Sequence, residues 1–125
     1  MKVIHLDGDG FFAEGVKRIF AAHGAELVSM TDARNLMEEV VDHSPDAVLL
    51  ELRLSSLNGF EVLAVLRADP RTRHIPLMVW SKLASREDIQ RCLDLGACEF
   101  FLKGQHHPRE VVLCIKRRLV PEKGL

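Results

Sequence analysis

Cysteine is scarce in this sequence: there are three, Cys92, Cys98 and Cys114, and no two form a CxxC pair. An odd number cannot all pair within one chain, so they read as small hydrophobes of a reducing, cytoplasmic compartment. A dominant charge is also missing. Lys+Arg is 17 and Asp+Glu is 18, a formal net charge of -1. That balance supplies no general pull towards nucleic acid or an anionic membrane. No apolar run approaches the roughly 20 residues that span a bilayer. Met1 to Leu6 lacks a basic segment followed by a long apolar one, so no signal peptide is read there. There are 8 glycines and 5 prolines, scattered singly, with no linker, repeat or low-complexity tract. What is present is ordinary globular composition, 47% hydrophobic and 28% charged, which argues against a disordered tail or a collagen-like repeat. At 125 residues the chain is read as one domain, 1–125, with a core over about 2–119.

The apolar periodicity alternates between two kinds. KVIHL (Lys2 to Leu6) is a strand; from Phe11 the spacing turns helical through Phe12, Val16, Ile19 and Phe20 and stops near Gly24. Leu27 to Met30 is a second strand, and Asp32 is placed to cap a helix with Leu36, Met37, Val40 and Val41 on its apolar face. Ser44-Pro45 ends that helix. AVLLEL (Ala47 to Leu52) is a third strand, with a glutamate near its end. After Asn58-Gly59 a helix turns Phe60, Leu63 and Leu66 inward, and LMVWS (Leu77 to Ser81) is a fourth strand. Ser85 caps a helix with Ile89, Cys92 and Leu93 inward, ending at Gly96; EFFL (Glu99 to Leu102) is a fifth strand. Pro108 suits the first turn of a last helix, in which Val111, Val112, Ile115 and Leu119 face the core.

Five strand–helix units in succession predict a parallel sheet joined by right-handed crossovers: an α/β protein, a three-layer α/β/α sandwich of the flavodoxin-like (βα)5 kind. In such folds function gathers beyond the carboxyl ends of the strands, at the switch in strand order. The polar residues at those ends are Asp7 and Asp9, Glu51, Ser81 and Lys103. With strand order 2-1-3-4-5, Asp7 and Glu51 converge, and Ser81 and Lys103 approach from the adjoining strands.

With HLDGDG, PDAVLLELRLSSLNGFEVLAVLR, IPLMVWS and LGACEFFLK in this order and spacing, the sequence resembles the receiver domain of two-component response regulators over roughly Lys2 to Leu119. In that family an acidic pair holds Mg²⁺, a strand-3 aspartate accepts a phosphoryl group from a histidine kinase, and a hydroxyl and a lysine bind that group. The resemblance implies that Asp7 is the first acidic residue and Ser81 the hydroxyl. It further makes Lys103 the lysine and Phe100 the aromatic of the switch. Departures mark it as a divergent, pseudo-receiver type. Gly8 stands at the second acidic position with Asp9 displaced by one, Glu51 is at the phosphoacceptor position, and Gly104 follows the lysine in place of proline. Ser55 and Ser56 replace a Pro-Gly, and Asn58 an aspartate.

With Asp9 turned away, Asp7, Glu51 and Lys103 sum to a charge of -1, one negative charge fewer than an ordinary receiver site. Mg²⁺ wants several oxygen ligands in near-ideal geometry, so binding by Asp7, Asp9 and Glu51 is expected to be weak or absent. Lys103 at about 4 Å from Glu51 would gain up to ~4 kcal/mol before desolvation. Two readings of Glu51 follow: a built-in stand-in for an acyl phosphate, or a degenerate site in which it merely pairs with Lys103. Asp9 has two as well, rescue of the metal site or a solvated carboxylate at a helix start.

The expectation is a domain that is not an enzyme, is not phosphorylated by the usual route and works as a protein-interaction module in signalling. By the same resemblance, its partner is a histidine kinase or downstream effector, met on a surface of the fourth helix, fifth strand and fifth helix around Arg86, Gln90, Phe100 and Lys116. No nucleic acid or membrane is expected, and the chain is a monomer or weak homodimer. About six residues follow the last helix, which leaves no output domain in the reading. The alternative is a conventional Mg²⁺-dependent phosphoacceptor. A more remote one takes the DxD of LDGDGFF for a metal-dependent phosphotransfer enzyme, of the haloacid dehalogenase phosphatase or lesion-bypass polymerase kind, which needs a longer chain. Trp80 is read as core, and His106-His107 with Arg71, Arg73 and His74 as solvated loops.

Overall fold

The computed structural model describes residues 1–54, 58–82 and 84–120. Strands β1 (Lys2–Leu6), β2 (Glu26–Met30), β3 (Ala47–Leu50), β4 (Leu77–Ser81) and β5 (Ala97–Leu102) alternate with helices α1 (Gly10–Ala22), α2 (Leu36–His43), α3 (Gly59–Ala68), α4 (Arg86–Asp94) and α5 (Pro108–Leu119). All pairings are parallel and the sheet order is β2-β1-β3-β4-β5. This is the flavodoxin-like order expected from the strand–helix alternation.

The two-residue period of the strands divides the core. Ile4, Leu6, Val48, Leu50, Leu77 and Val79 point to one face and pack on Val40 of α2, Leu63 and Leu66 of α3 and Cys92 of α4. Val3, Leu27, Leu49, Met78, Trp80 and Phe101 point to the other, against Val16 and Phe20 of α1 and Val111, Val112 and Ile115 of α5. Because both faces are covered, β3 and β4 are buried at every position and lack polar–apolar alternation.

Several boundaries differ from the sequence expectation. Asp32 does not cap α2, which starts at Leu36 behind Asn35; its carboxylate instead accepts the Arg34 N–H and pairs with that guanidinium. β3 stops at Leu50, so Glu51 and Leu52 lie just past the sheet, while β5 starts two residues early, at Ala97. Leu93 is 44% exposed, because α4 docks mainly through Cys92. Ser85 does cap α4, in a capping box with Asp88, and Pro108 opens α5. His106 and His107 are not merely solvated. His106 Nδ1 accepts the Leu102 N–H at 2.9 Å, and His107 Nδ1 accepts the Arg109 N–H as the cap of α5. Arg71, Arg73 and His74 are exposed loop residues, as read. Ser55 and Ser56 lie outside the described residues.

One close approach fixes the ground beneath the site. The Gly59 N–H donates to the Leu52 carbonyl at 2.7 Å, and a Cβ at Gly59 would stand 2.6 Å from Leu52 Cα and 2.9 Å from the Glu51 carbonyl. Only glycine lets the start of α3 seat against the turn that carries Glu51.

Candidate functional site

Asp7 follows the last residue of β1, Glu51 the last of β3, Ser81 ends β4 and Lys103 follows β5, so parallel register alone brings the four to one rim. The Lys103 ammonium sits between the two carboxylates, 2.6 Å from Asp7 Oδ2 and 3.0 Å from Glu51 Oε2, and 4.4 Å from the centroid of the Phe12 ring. Its side chain is 9% exposed and those of Asp7 and Glu51 3% and 6%. Water is nearly excluded from this ion cluster.

Glu51 is fully engaged. Its Oε1 accepts a short hydrogen bond from the Ser81 hydroxyl and the backbone N–H groups of Leu52 at 2.8 Å and Arg53 at 3.3 Å. Its Oε2 takes Lys103. The extra methylene lets the carboxylate reach over the rim to the hydroxyl and the ammonium at once. Asp7 is engaged as well: Oδ1 accepts the Asp9 N–H at 2.9 Å, and Oδ2 faces Lys103 and, at 3.6 Å, Nε2 of the fully buried His5. Burial raises the Asp7 pKa, but the facing His5 ring, hydrogen bonds from Lys103 and the Asp9 N–H, and the ammonium charge outweigh it and lower the pKa to about 2.

Asp9 is turned away. It is exposed and caps α1 by accepting the Phe12 N–H at 3.0 Å. The three carboxylates of the sequence reading therefore do not form a common oxygen cage. Among the described residues no cluster of three or more His, Cys, Asp or Glu side chains is arranged to hold a metal ion. The Mg²⁺ that receiver domains use does not fit the donors as they stand, since the oxygens of Asp7 and Glu51 already serve N–H, O–H and ammonium donors.

Phe100 is half-buried and packs with the core under α2, α3 and α4. Arg86 and Gln90 are exposed on α4, where Gln90 Nε2 donates to Asp94 at 2.9 Å. Lys116 does not share their face. Its ammonium reaches back to the His23 carbonyl at the end of α1, while Arg118 of α5 bonds the Cys98 carbonyl of β5 and lies 3.5 Å from Glu99.

The sequence reading missed His5, Phe12 and the two backbone N–H groups. His5 was legible, because alternation puts it on the same side of β1 as Asp7; Phe12 as a cover for Lys103 had no local signal. Arg53 and Lys82 complete the mouth of a cleft of about 650 Å³ that Asp7, Asp9, Thr31, Asp32, Glu51 and Lys103 also line.

Two carboxylates, a hydroxyl and a lysine thus meet on the carboxyl rim of this sheet. The chain belongs to the response regulator receiver domain family, whose model matches residues 3–115. It is 28% identical over 118 residues to the DNA-binding response regulator MtrA of Mycobacterium tuberculosis (strain ATCC 25618 / H37Rv), covering 94% of this chain and 50% of that protein. It is also 34% identical over 89 residues to a protein-glutamate methylesterase/protein-glutamine glutaminase of Myxococcus xanthus, covering 71% of this chain and 25% of that protein. The chain thus spans half or less of the length of these curated relatives. In fold it is similar to the BeF3-activated N-terminal receiver domain of Klebsiella pneumoniae RstA (TM-score 0.87, 20% identity, 97% of this chain and 100% of that one). The chemotaxis response regulator CheY4 of Vibrio cholerae is also similar (TM-score 0.82, 20% identity, 95% and 98%). The chain is a receiver domain of two-component signal transduction.

Proposed function

We propose that this receiver domain signals without an aspartyl phosphate, the Glu51 carboxylate standing where a phosphoryl group would be held. One observation carries the reading: Glu51 accepts from the Ser81 hydroxyl and the Arg53 N–H and shares the Lys103 ammonium with Asp7. The hydroxyl and the ammonium are the donors that the family resemblance assigns to an incoming phosphoryl group. A carboxylate offers fewer oxygens and less charge than a phosphate, so the mimicry is partial and fixed. Attack by Glu51 on a phosphodonor would first have to strip these donors away.

With its rim committed in this way, the domain serves as a cytoplasmic protein-interaction module and not as a phosphotransfer enzyme. Its partner is a signalling protein, a kinase or an effector, met on the exposed face of α4 around Arg86 and Gln90, with Phe100 behind it. Among the described residues no helix is long and apolar enough to cross a membrane.

The test is mass spectrometry after incubation with acetyl phosphate and Mg²⁺, beside a conventional receiver domain as control. The intact mass of this protein is expected to stay unchanged while the control gains one phosphoryl group. A phosphoryl adduct mapping to Glu51 would restore the conventional phosphoacceptor reading.

A further inference from the structure

His106 and His107 lie between Lys103 and α5, and each ring gives its Nδ1 to a backbone N–H. β5 is an edge strand, so the N–H groups on its outer side meet no neighbouring strand. The Lys103 N–H turns inward, to the Ser81 carbonyl at 2.8 Å. That of Leu102 turns outward, where His106 Nδ1 accepts it at 2.9 Å. One residue on, His107 Nδ1 accepts the Arg109 N–H at 3.1 Å and caps α5. We infer that these two rings are a pH-sensitive latch. Neutral, they brace the turn that carries Lys103; protonated in mild acid, they free it and leave Lys103 held by its ion pairs and one strand bond. The inference goes beyond the reading of Glu51 and stands whether or not Glu51 takes a phosphoryl group.

An Nδ1 that accepts an N–H carries no proton of its own, and imidazole is the side chain that gains one between about pH 5 and 8. His107 is exposed and His106 half-buried, so solvent protons reach both rings. A protonated His106 would turn a donor towards the Leu102 carbonyl, 3.3 Å away, which already accepts the Gln105 and His106 N–H groups. The Leu102 N–H would lose its partner. A protonated His107 would lose the cap and set a positive charge at the positive end of α5. Gly104, at φ 88°, leaves the backbone of this turn free where a proline would stiffen it, so the ring bonds hold it.

The charged groups around the rings are few. Glu110 of α5 accepts the His107 N–H at 3.2 Å and favours an imidazolium there, while Arg109 beside it and Lys103 at the end of β5 oppose one. From β5, the Phe101 ring meets His106 edge-on at 5.5 Å. Phe12 of α1 and Trp80 of β4 wall the cleft of about 280 Å³ that both histidines line with Glu110. Asp9 lines the adjoining groove beside Pro108, and His5, beyond Trp80, faces Asp7.

The test is NMR at pH 7.5 and pH 5.5 of wild type, His106→Asn, His107→Asn, the double Asn variant and His106→Ala. It follows the ring ¹⁵N shifts and the amide protection factors, corrected for intrinsic exchange. Asn offers an oxygen near the place of Nδ1 that does not titrate in this range. In wild type the protection of Leu102 and Arg109 should fall at least about fivefold on acidification, the worth of one hydrogen bond. Each fall should share its midpoint with the ring that accepts that N–H, and the Lys103 and Gly104 amide shifts should move with His106. His106→Asn should keep Leu102 protected at both pH values, and His107→Asn should do the same for Arg109. His106→Ala should leave Leu102 unprotected at pH 7.5.

Wild-type protection that stays constant while both rings protonate would overturn the inference. So would a fall that persists in the double Asn variant, which would assign it to His5 or a carboxylate. If the double variant does not fold, the match of ring and amide midpoints in wild type decides. A phosphoryl adduct on Glu51 would defeat the reading of that residue and leave this latch untouched.

Discussion

Two acid–base groupings in this molecule have similar geometry and opposite consequences. On the loop after α3, Arg71 bonds Asp69 at 2.8 Å, and these hydrogen bonds lower the Asp69 pKa to about 2. At the sheet rim Lys103 bonds Asp7 at 2.6 Å, and Asp7 also falls to about 2. The distances and the pKa values nearly coincide. Arg71, however, is 62% exposed and two residues from its partner, so water and salt screen the pair and either side chain can leave it cheaply. Asp7, Lys103 and Glu51 come from three strands, are almost sealed from solvent, and none can move without stranding a charge. A carboxylate pKa therefore does not rank an ion pair by itself; the number of elements that meet there and the exclusion of water do.

The largest effect should come from emptying the centre of the rim cluster. Lys103→Met leaves two buried carboxylates facing each other without a counter-ion, and the loss of one partner from a buried pair typically costs about 3–5 kcal/mol. Urea unfolding at neutral pH in EDTA measures it. A loss as small as that of a surface pair would mean that solvent enters the cleft and that the contrast between the two regions is false.

Acid should reveal the next contribution. The Asp7 pKa falls from the ordinary 3.8 to about 2 on folding, so the unfolded chain takes up its proton first as pH drops. Its stabilisation is complete above about pH 4 and is lost as pH falls through about 2, amounting to about 2 kcal/mol. Asp7→Asn should remove that limb of the stability–pH curve. An unchanged slope between wild type and variant would show that other carboxylates set the acid limit.

Much of this arrangement was legible in the residues, and the failures have physical causes. HLDGDG, the glutamate of AVLLEL, the serine of LMVWS and the lysine after EFFL fall at strand ends, so parallel topology alone brings Asp7, Glu51, Ser81 and Lys103 together. Ser85 and Pro108 were readable because capping chemistry is local. Asp32 misled for the same local reason: it has the right residue type, but Arg34 two residues on offers its carboxylate a better partner than a helix start would. AVLLEL ran on past the sheet because Leu52 is buried by α3 and not by a neighbouring strand. His106 looked like loop, since nothing in the sequence announces that its ring accepts the Leu102 N–H and so braces the turn that aims Lys103. Gly104 at φ 88° belongs to the same turn, where proline, confined to negative φ, could not stand without rebuilding it. Which way a long side chain leaves its element was also illegible: the family resemblance put Lys116 on one surface with Arg86 and Gln90, and its ammonium bonds the His23 carbonyl at the end of α1.

The smallest effect is the sharpest control on the opening contrast. Arg71→Ala removes both hydrogen bonds from the Arg71 guanidinium to Asp69, yet the loop keeps its backbone bonds from Thr72 and Arg73 to the Asp69 carbonyl. Thr72, fully buried, still ties the turn to the Leu66 carbonyl at 2.7 Å. The melting temperature of Arg71→Ala should therefore match wild type within the error of the melt, at low salt as well as high. Asp69 should meanwhile titrate closer to its ordinary value of 3.8 in a carboxyl NMR titration. A pKa that moves while stability does not is what a screened surface pair requires. If stability fell along with it, exposure would have to be abandoned as the property that separates this loop from the rim.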